Sequence, residues 1–268
     1  MEKMKNSPEK DQRHFVLVHG AGHGAWCWYK VAALLQSAGH AVTALDLGAS
    51  GIHPKQVGEL RSIMDYVEPL FEFMGALPSG ERVVLVGHSM GGAAVAMAME
   101  RFPEKIAVAV FAAAMMPGPD LSYVDLSKEY ARRKDSDKNT KYTFNDGPDK
   151  PPTSFMSSYD RLKSKLYQLS PPEDLMLACY LLRPIRLYHD ESVLREQTAV
   201  TKERYGSVPR VYIVSDQDYA IPEEMQRWMI KENLPDEVKV ISGSDHMVMF
   251  SKPLDLCSHL QEIAKSYF

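Results

Sequence analysis

A serine, an aspartate and a histidine, far apart in this chain, could together move a proton and make a bond. Ser89 sits in Gly87-His88-Ser89-Met90-Gly91, a G-x-S-x-G pattern. His246 lies near the C-terminus in Ser244-Asp245-His246-Met247, and between the two, Asp216 and Asp218 follow the run Val211-Tyr212-Ile213-Val214. Cleaving an ester needs a nucleophile, a base to take its proton, a group that orients the base, and N–H donors for the oxyanion. The chain offers residue types for each part. The bare G-x-S-x-G pattern is weak, since about one chain in ten of this length holds it by chance. Its surroundings give it weight.

Residues 83–86 (Val-Val-Leu-Val) read as a buried strand, and the small, apolar stretch from Gly91 to Met99 reads as a helix. A serine on the tight turn between them is held in strained backbone geometry, with its hydroxyl at the top of a sheet. Other buried strands fall at residues 15–18, 41–45, 107–111, 211–214 and 238–241, with helical patterns at 26–38, 62–74, 222–232 and 253–267. Alternation of this kind predicts an α/β fold, a mostly parallel sheet flanked by helices. Ser89, the aspartates and His246 each follow a strand, where open α/β sheets place their sites. Their order, Ser then Asp then His, is that of the α/β-hydrolase arrangement. The rhythm stops between residues 115 and 204, a Pro-rich segment with frequent Met and aromatic residues and helical patterns at 158–167 and 172–182. We read residues 14–114 and 205–268 as the core, 115–204 as an inserted, mainly helical cap, and 1–13 as a disordered leader. The charged run at 131–141 reads as a solvated surface.

Composition removes several function classes. The 268 residues carry a formal net charge of −4, with no basic footprint for nucleic acid or an anionic membrane. No run approaches the ~18 apolar residues of a membrane span, and the charged N-terminus lacks the apolar core of a signal peptide. Three widely spaced cysteines suit free thiols in a reducing, cytoplasmic setting. No cluster has zinc-ligand spacing, so neither metal nor cofactor is expected. Gly20-x-Gly22-x-Gly24 has the wrong spacing for a dinucleotide loop. It is read instead as an oxyanion loop, with backbone N–H donors at Ala21 and at Met90, the residue after the nucleophile. His19 and His23 flank that loop and shape it, while Asp245, adjoining His246, is not expected to face its ring.

The stretches HFVLVHGAGHGAWCW, VVLVGHSMGG, LYQLSPPEDL and SDHMVMFSKP resemble the plant methylesterase and hydroxynitrile lyase family of α/β hydrolases, from about His14 to the C-terminus. That resemblance implies a cofactor-free carboxylesterase of plant hormone or alkaloid metabolism, acting on a small-molecule methyl ester. It also implies that the second aspartate of D-x-D, Asp218, is the triad acid. Lyases of the family carry Thr at the position of Gly20, Lys at that of Met247 and Glu at that of His88, so these three residues side with the esterases. The chain departs from the family at Gly22, where Cys is usual.

Catalytic Ser89, His246 and Asp218 and the Ala21 and Met90 amides are thus the expected machinery. Gly20, His88, Met116, Tyr123, Phe155 and Met247 are the expected substrate-binding residues. No Arg or Lys stands in a recognisable carboxylate-binding motif, which predicts neutral, largely apolar esters. Two other readings stay open: a lyase or decarboxylating, cyclising enzyme on the same fold, and a non-catalytic receptor. The assembly is also open, a homodimer among the alternatives.

Overall fold

The computed structural model describes residues 12–133 and 139–268. Most of the expected leader and part of the charged run at 131–141 lie outside the described residues. In chain order the elements are β1 (His14–Val18), α1 (Tyr29–Ser37), β2 (Ala41–Leu45), α2 (Ile63–Ala76), β3 (Val83–His88), α3 (Gly91–Arg101) and β4 (Ile106–Ala112). The cap follows as α4 (Tyr123–Arg133), β5 (Lys141–Thr143), β6 (Ser154–Met156), α5 (Tyr159–Arg161), α6 (Pro172–Leu181), β7 (Ile185–Arg186) and α7 (Glu191–Gln197). The core resumes with β8 (Arg210–Ser215), α8 (Glu223–Glu232), β9 (Glu237–Ile241), α9 (Val248–Ser251) and α10 (Pro253–Tyr267).

The main sheet has the order β2-β1-β3-β4-β8-β9, and all its pairs are parallel. Alternate side chains feed two cores, as the period of a strand requires. Val16, Val18, Leu85, Phe111 and Tyr212 pack with α2, α3 and α8 on one face. Phe15, Leu17, Val86, Val110 and Ile213 pack with α1 and α10 on the other. Burial of both faces explains why these strands read as continuous apolar runs.

The chain runs from β1 outward to β2, then returns to place β3 on the other side of β1. Strand order therefore reverses at β1/β3, and the loops after these strands part to leave a crevice at their C-terminal ends. Val18 pairs with Gly87, so the glycine-rich loop and the serine turn emerge side by side. Helix α3 closes down hard on this junction. A Cβ on Gly91 would stand 2.5 Å from the His19 carbonyl oxygen, and one on Gly92 would stand 2.0 Å from that of Met115.

The cap holds the expected helices and, joining them, a three-stranded antiparallel sheet, β5-β6-β7, that the sequence rhythm did not announce. Its strands are only three, three and two residues long, too short for a period of two to register. The helical pattern at 158–167 is α5 followed by a π-helical turn at Leu162–Leu166. The pattern at 26–38 opens as a 3-10 turn, Ala25–Trp28, before α1 begins. Among the described residues no helix is long and apolar enough to cross a membrane.

Because the Gly92 site is closed by backbone rather than by a movable side chain, overpacking it forces the helix off β3. Gly92→Ala is expected to destabilise the protein by about 1–3 kcal/mol in urea denaturation. A loss under about 0.5 kcal/mol would contradict this packing.

Candidate active site

Ser89 occupies the turn between β3 and α3 with φ of +53°, a left-handed conformation that is costly for a residue with a Cβ. Its carbonyl oxygen accepts hydrogen bonds from the amides of Gly92 (3.1 Å) and Met115 (2.9 Å), which hold it there. The turn drives the hydroxyl toward the loop after β9. There Ser89 Oγ lies 3.0 Å from His246 Nε2, and His246 Nδ1–H donates to Asp218 Oδ2 at 2.7 Å. A proton on Nδ1 leaves Nε2 free to accept from the serine, which is the tautomer a general base needs.

Asp218 is buried and well provided with donors. Its Oδ1 accepts from the amides of Ala220 (2.7 Å) and Ile221 (2.8 Å), at the entry to α8, which leaves Oδ2 for the imidazole. Asp216, two residues earlier, is turned away: its Oδ1 accepts from the Gly243 amide at 2.7 Å and ties β8 to the loop after β9. Asp245 does not face the ring of its neighbour either. It accepts from the Met247 and Leu169 amides and from the Ser170 hydroxyl at 2.8–3.0 Å, joining the histidine loop to the cap.

The glycine-rich loop lies opposite. Asp46, after β2, accepts from the amides of Ala25 (2.7 Å) and Ile52 (3.2 Å), pinning its far end. Among the described residues neither the Ala21 nor the Met90 amide has an acceptor, and both residues border the cavity over Ser89. Gly20 leaves room for the nucleophile: a Cβ there would stand 2.7 Å from Ser89 Cβ and 3.3 Å from its Oγ. Gly22 has φ of +72°, and a Cβ on it would press at 3.2 Å on Ile185, a cavity residue from the cap.

Three further histidines surround this centre, and burial holds all of them below the ordinary imidazole range, His23 at about 3. His19 Nδ1–H donates to the Gly20 carbonyl (2.7 Å), and its Nε2 accepts from the Leu47 amide (3.1 Å). His23 Nδ1–H donates to the Ala21 carbonyl (2.9 Å), and its Nε2 accepts from the Tyr167 hydroxyl (2.7 Å). His88 Nε2–H donates to the backbone carbonyl of His246 at 2.7 Å, while its Nδ1 is buried without a partner. These rings are neutral props that hold the glycine-rich loop and the backbone of His246.

A cavity of about 300 Å³ opens above Ser89. Of the residues expected on its wall, Gly20, His88, Tyr123 and Phe155 are there, and Met116 and Met247 are not. Met115 borders the cavity instead of Met116, whose fully buried side chain points into the core packed against α2 and α3. The amide of Met115 is fixed by the Ser89 carbonyl, and that bond decides which of the two neighbours looks outward. The Met247 amide bonds Asp245 Oδ1 and the Leu166 carbonyl, and its side chain is sealed into the opposite core.

Much of the remaining wall was not foreseen. It comes from the cap: Ser127 and Tyr130 of α4, Arg161 and Leu166 around the π turn, and the ribbon from Ile185 to Tyr188. Alternation of Ile185 with Leu187 is the only local signal, and all four ribbon residues border the cavity. The sequence ties no Arg or Lys to a carboxylate-binding motif, yet Arg161 and Arg186 are both on the cavity wall, where among the described residues there is no Asp or Glu.

The chain resembles known proteins over nearly its whole length. Residues 15–259 match the model of the alpha/beta hydrolase family. Methyl jasmonate esterase 1 of Vitis vinifera is 60% identical over 97% of this chain and 99% of its own length. Tomato methylketone synthase I, solved with 2-tridecanone, superposes with a TM-score of 0.92 at 47% identity, covering 96% of this chain and 99% of that one. Polyneuridine aldehyde esterase superposes with a TM-score of 0.89 at 42% identity, covering 95% and 100%.

Two predictions follow from the hydrogen bonds. Asp218→Asn should lower kcat about 10⁴-fold by favouring the wrong imidazole tautomer, whereas Asp216→Asn should cost much less; equal losses would reassign the acid. The neutral histidines make stability fall with acid. In the unfolded chain His19, His23 and His88 titrate near 6.5, above their folded values, so their contribution is complete above that pH and is lost below it. Between pH 7.5 and 5.5 the loss is about 1.4 kcal/mol for His23, and His19 and His88 add to it in the same direction. Urea unfolding at the two pH values measures it, and a change under about 1 kcal/mol would mean that the rings take up protons when folded.

Proposed function

The chain belongs to the alpha/beta hydrolase family, and from that premise we infer that it is a serine carboxylesterase that hydrolyses small, largely apolar methyl esters of hormone-like or specialised-metabolite acids. The observation that carries the reading is the line Ser89 Oγ, His246 Nε2, His246 Nδ1, Asp218 Oδ2, with contacts of 3.0 and 2.7 Å, lying beneath a cavity that two unengaged amides also border.

In this scheme His246 Nε2 takes the Ser89 proton as Oγ attacks the ester carbonyl. The Ala21 and Met90 N–H groups receive the oxyanion, and Asp218 stabilises the imidazolium. His246 then gives its proton to the departing methoxide, and methanol leaves an acyl-serine. A water deprotonated by the same nitrogen attacks the acyl carbon and frees the acid. His88, neutral and donating to the His246 carbonyl, adds no charge that would oppose the imidazolium.

Residues 115–204 act as the cap that supplies the acid-side pocket, and the core supplies the chemistry. An apolar ring or chain is held there by roughly 25 cal/mol per Å² removed from water. The relative named methyl jasmonate esterase supports an ester of that size. A reducing, cytoplasmic setting fits the three unpaired cysteines.

A panel of methyl jasmonate, methyl salicylate and methyl indole-acetate, followed by release of methanol and free acid, tests the reading. At least one should be hydrolysed, a fluorophosphonate should label Ser89, and Ser89→Ala should abolish turnover while the protein stays folded. Stoichiometric labelling of another serine, or release of carbon dioxide without methanol, would sink it.

A further inference from the structure

Beside the main cavity is a second, much smaller one of about 10 Å³, and the two share Met90, Ile185, Arg186 and Tyr188 as a common wall. Three polar atoms buried around this annex have no hydrogen-bond partner: Arg186 Nε, Tyr188 Oη and Tyr66 Oη. Tyr66 has the Ser50 hydroxyl for a neighbour without a well-formed bond to it. The Arg186 side chain makes no ion pair or hydrogen bond with any described residue, although its backbone pairs with Ser154 in the cap sheet. Buried polar groups are nearly always paired, and three unpaired in one place call for an occupant.

The character of the three sets the chemistry of that occupant. A guanidinium only donates, and burial raises both tyrosine pKa values, so the hydroxyls keep their protons and can donate too. Together they ask for an acceptor. Room for about one oxygen excludes a ring or an alkyl chain from the annex. Met90 borders both spaces, and its amide faces the ester carbonyl in the scheme above, so the annex adjoins the place of a substrate held at Ser89.

We propose that this annex is a subsite for a second oxygen of the substrate, a ketone or carboxylate oxygen on the acid part away from the ester, held by Arg186, Tyr188 and Tyr66. The inference rests on the esterase reading for where the ester lies, and its test is separable from that reading. An oxygen-bearing acid part is selected because its deoxy counterpart leaves the donors unpaired. The arginine accepts a neutral or an anionic oxygen, and the choice between them is left to measurement.

The test uses Ser89→Ala protein and calorimetric binding of three esters of one size: methyl (3-oxocyclopentyl)acetate, methyl cyclopentylacetate and the analogue with a ring carboxylate in place of the ketone. At least one oxygen-bearing ester should bind about tenfold or more tightly than the deoxy ester. Adding Arg186→Met should erase that advantage. Tyr188→Phe, which keeps the ring and its packing, should reduce it, so the result does not depend on one variant folding. A gain for the ketone alone marks a neutral acceptor, a gain for the carboxylate alone an anion, and either supports the subsite. Equal affinities for all three esters, or an advantage that survives both substitutions, would overturn it and leave the annex a water site. Failure of the unmodified protein to release methanol, with the binding contrast intact, would overturn the esterase reading alone.

Discussion

Ser89 stands at a positive φ that its own Cβ opposes, and much of the architecture exists to keep it there. Its carbonyl is clamped by the Gly92 and Met115 amides, one from α3 and one from the strand end beyond it. That clamp closes only if α3 sits almost on the backbone of the neighbouring loops, which is why its first two residues have no side chains. The small residues that follow let the helix lie flat on β3 and bury the first nine of its positions. A parallel sheet makes this geometry available, because its strand ends, and hence its loops, all emerge on one side. Strain at one residue is thus balanced by packing over several elements, and the hydroxyl is aimed before any substrate arrives.

Around that point the protein spends three buried histidines without using their charge. Each donates one ring N–H to a backbone carbonyl, of Gly20, Ala21 or His246. An amide or a lysine could supply such a donor, but a flat ring with a donor on one side and an acceptor on the other spans two loops at once, as His19 and His23 do. Burial keeps these rings neutral, and neutrality has a consequence for catalysis. The ring centroids of His88 and His246 are 4.7 Å apart, so a charged His88 would oppose the imidazolium that must form beside it.

The sheet and the serine turn were legible because their signals are local: continuous apolar runs, then glycine and small residues where backbones touch. The aspartate that meets the His246 ring was less so. Asp216 and Asp218 follow the same strand, and family resemblance rather than spacing separated them; in the fold the first bonds a loop amide and the second the imidazole. Met115 and Met116 show the same limit on a smaller scale, since adjacent residues face opposite ways and one distant carbonyl sets the register. In the cap the strands are too short to leave a periodic trace, and the cavity ribbon from Ile185 to Tyr188 showed no signal beyond the alternation of Ile185 with Leu187. What escaped was the part that depends on contacts between segments far apart in sequence.

The cap and the catalytic loops are nevertheless one structure. The π turn and the residues after it reach both sides of the nucleophile: Tyr167 donates to His23 at the oxyanion loop, and the Leu166 carbonyl accepts from the Met247 amide beside the base. Asp245 completes the connection, its carboxylate taking donors from Leu169, Ser170 and Met247 in a buried position. Burial raises the pKa of this carboxyl, and the donors oppose the shift. Lifting the cap on this side would strip a buried carboxylate of two donors, Leu169 and Ser170, and hydrogen bonds to charged groups are worth about 1.5–3 kcal/mol each. The same motion would release the ring that steadies Ala21. Residues 166–170 thereby hold the His246 loop and the Ala21 loop in register with the segment 115–204.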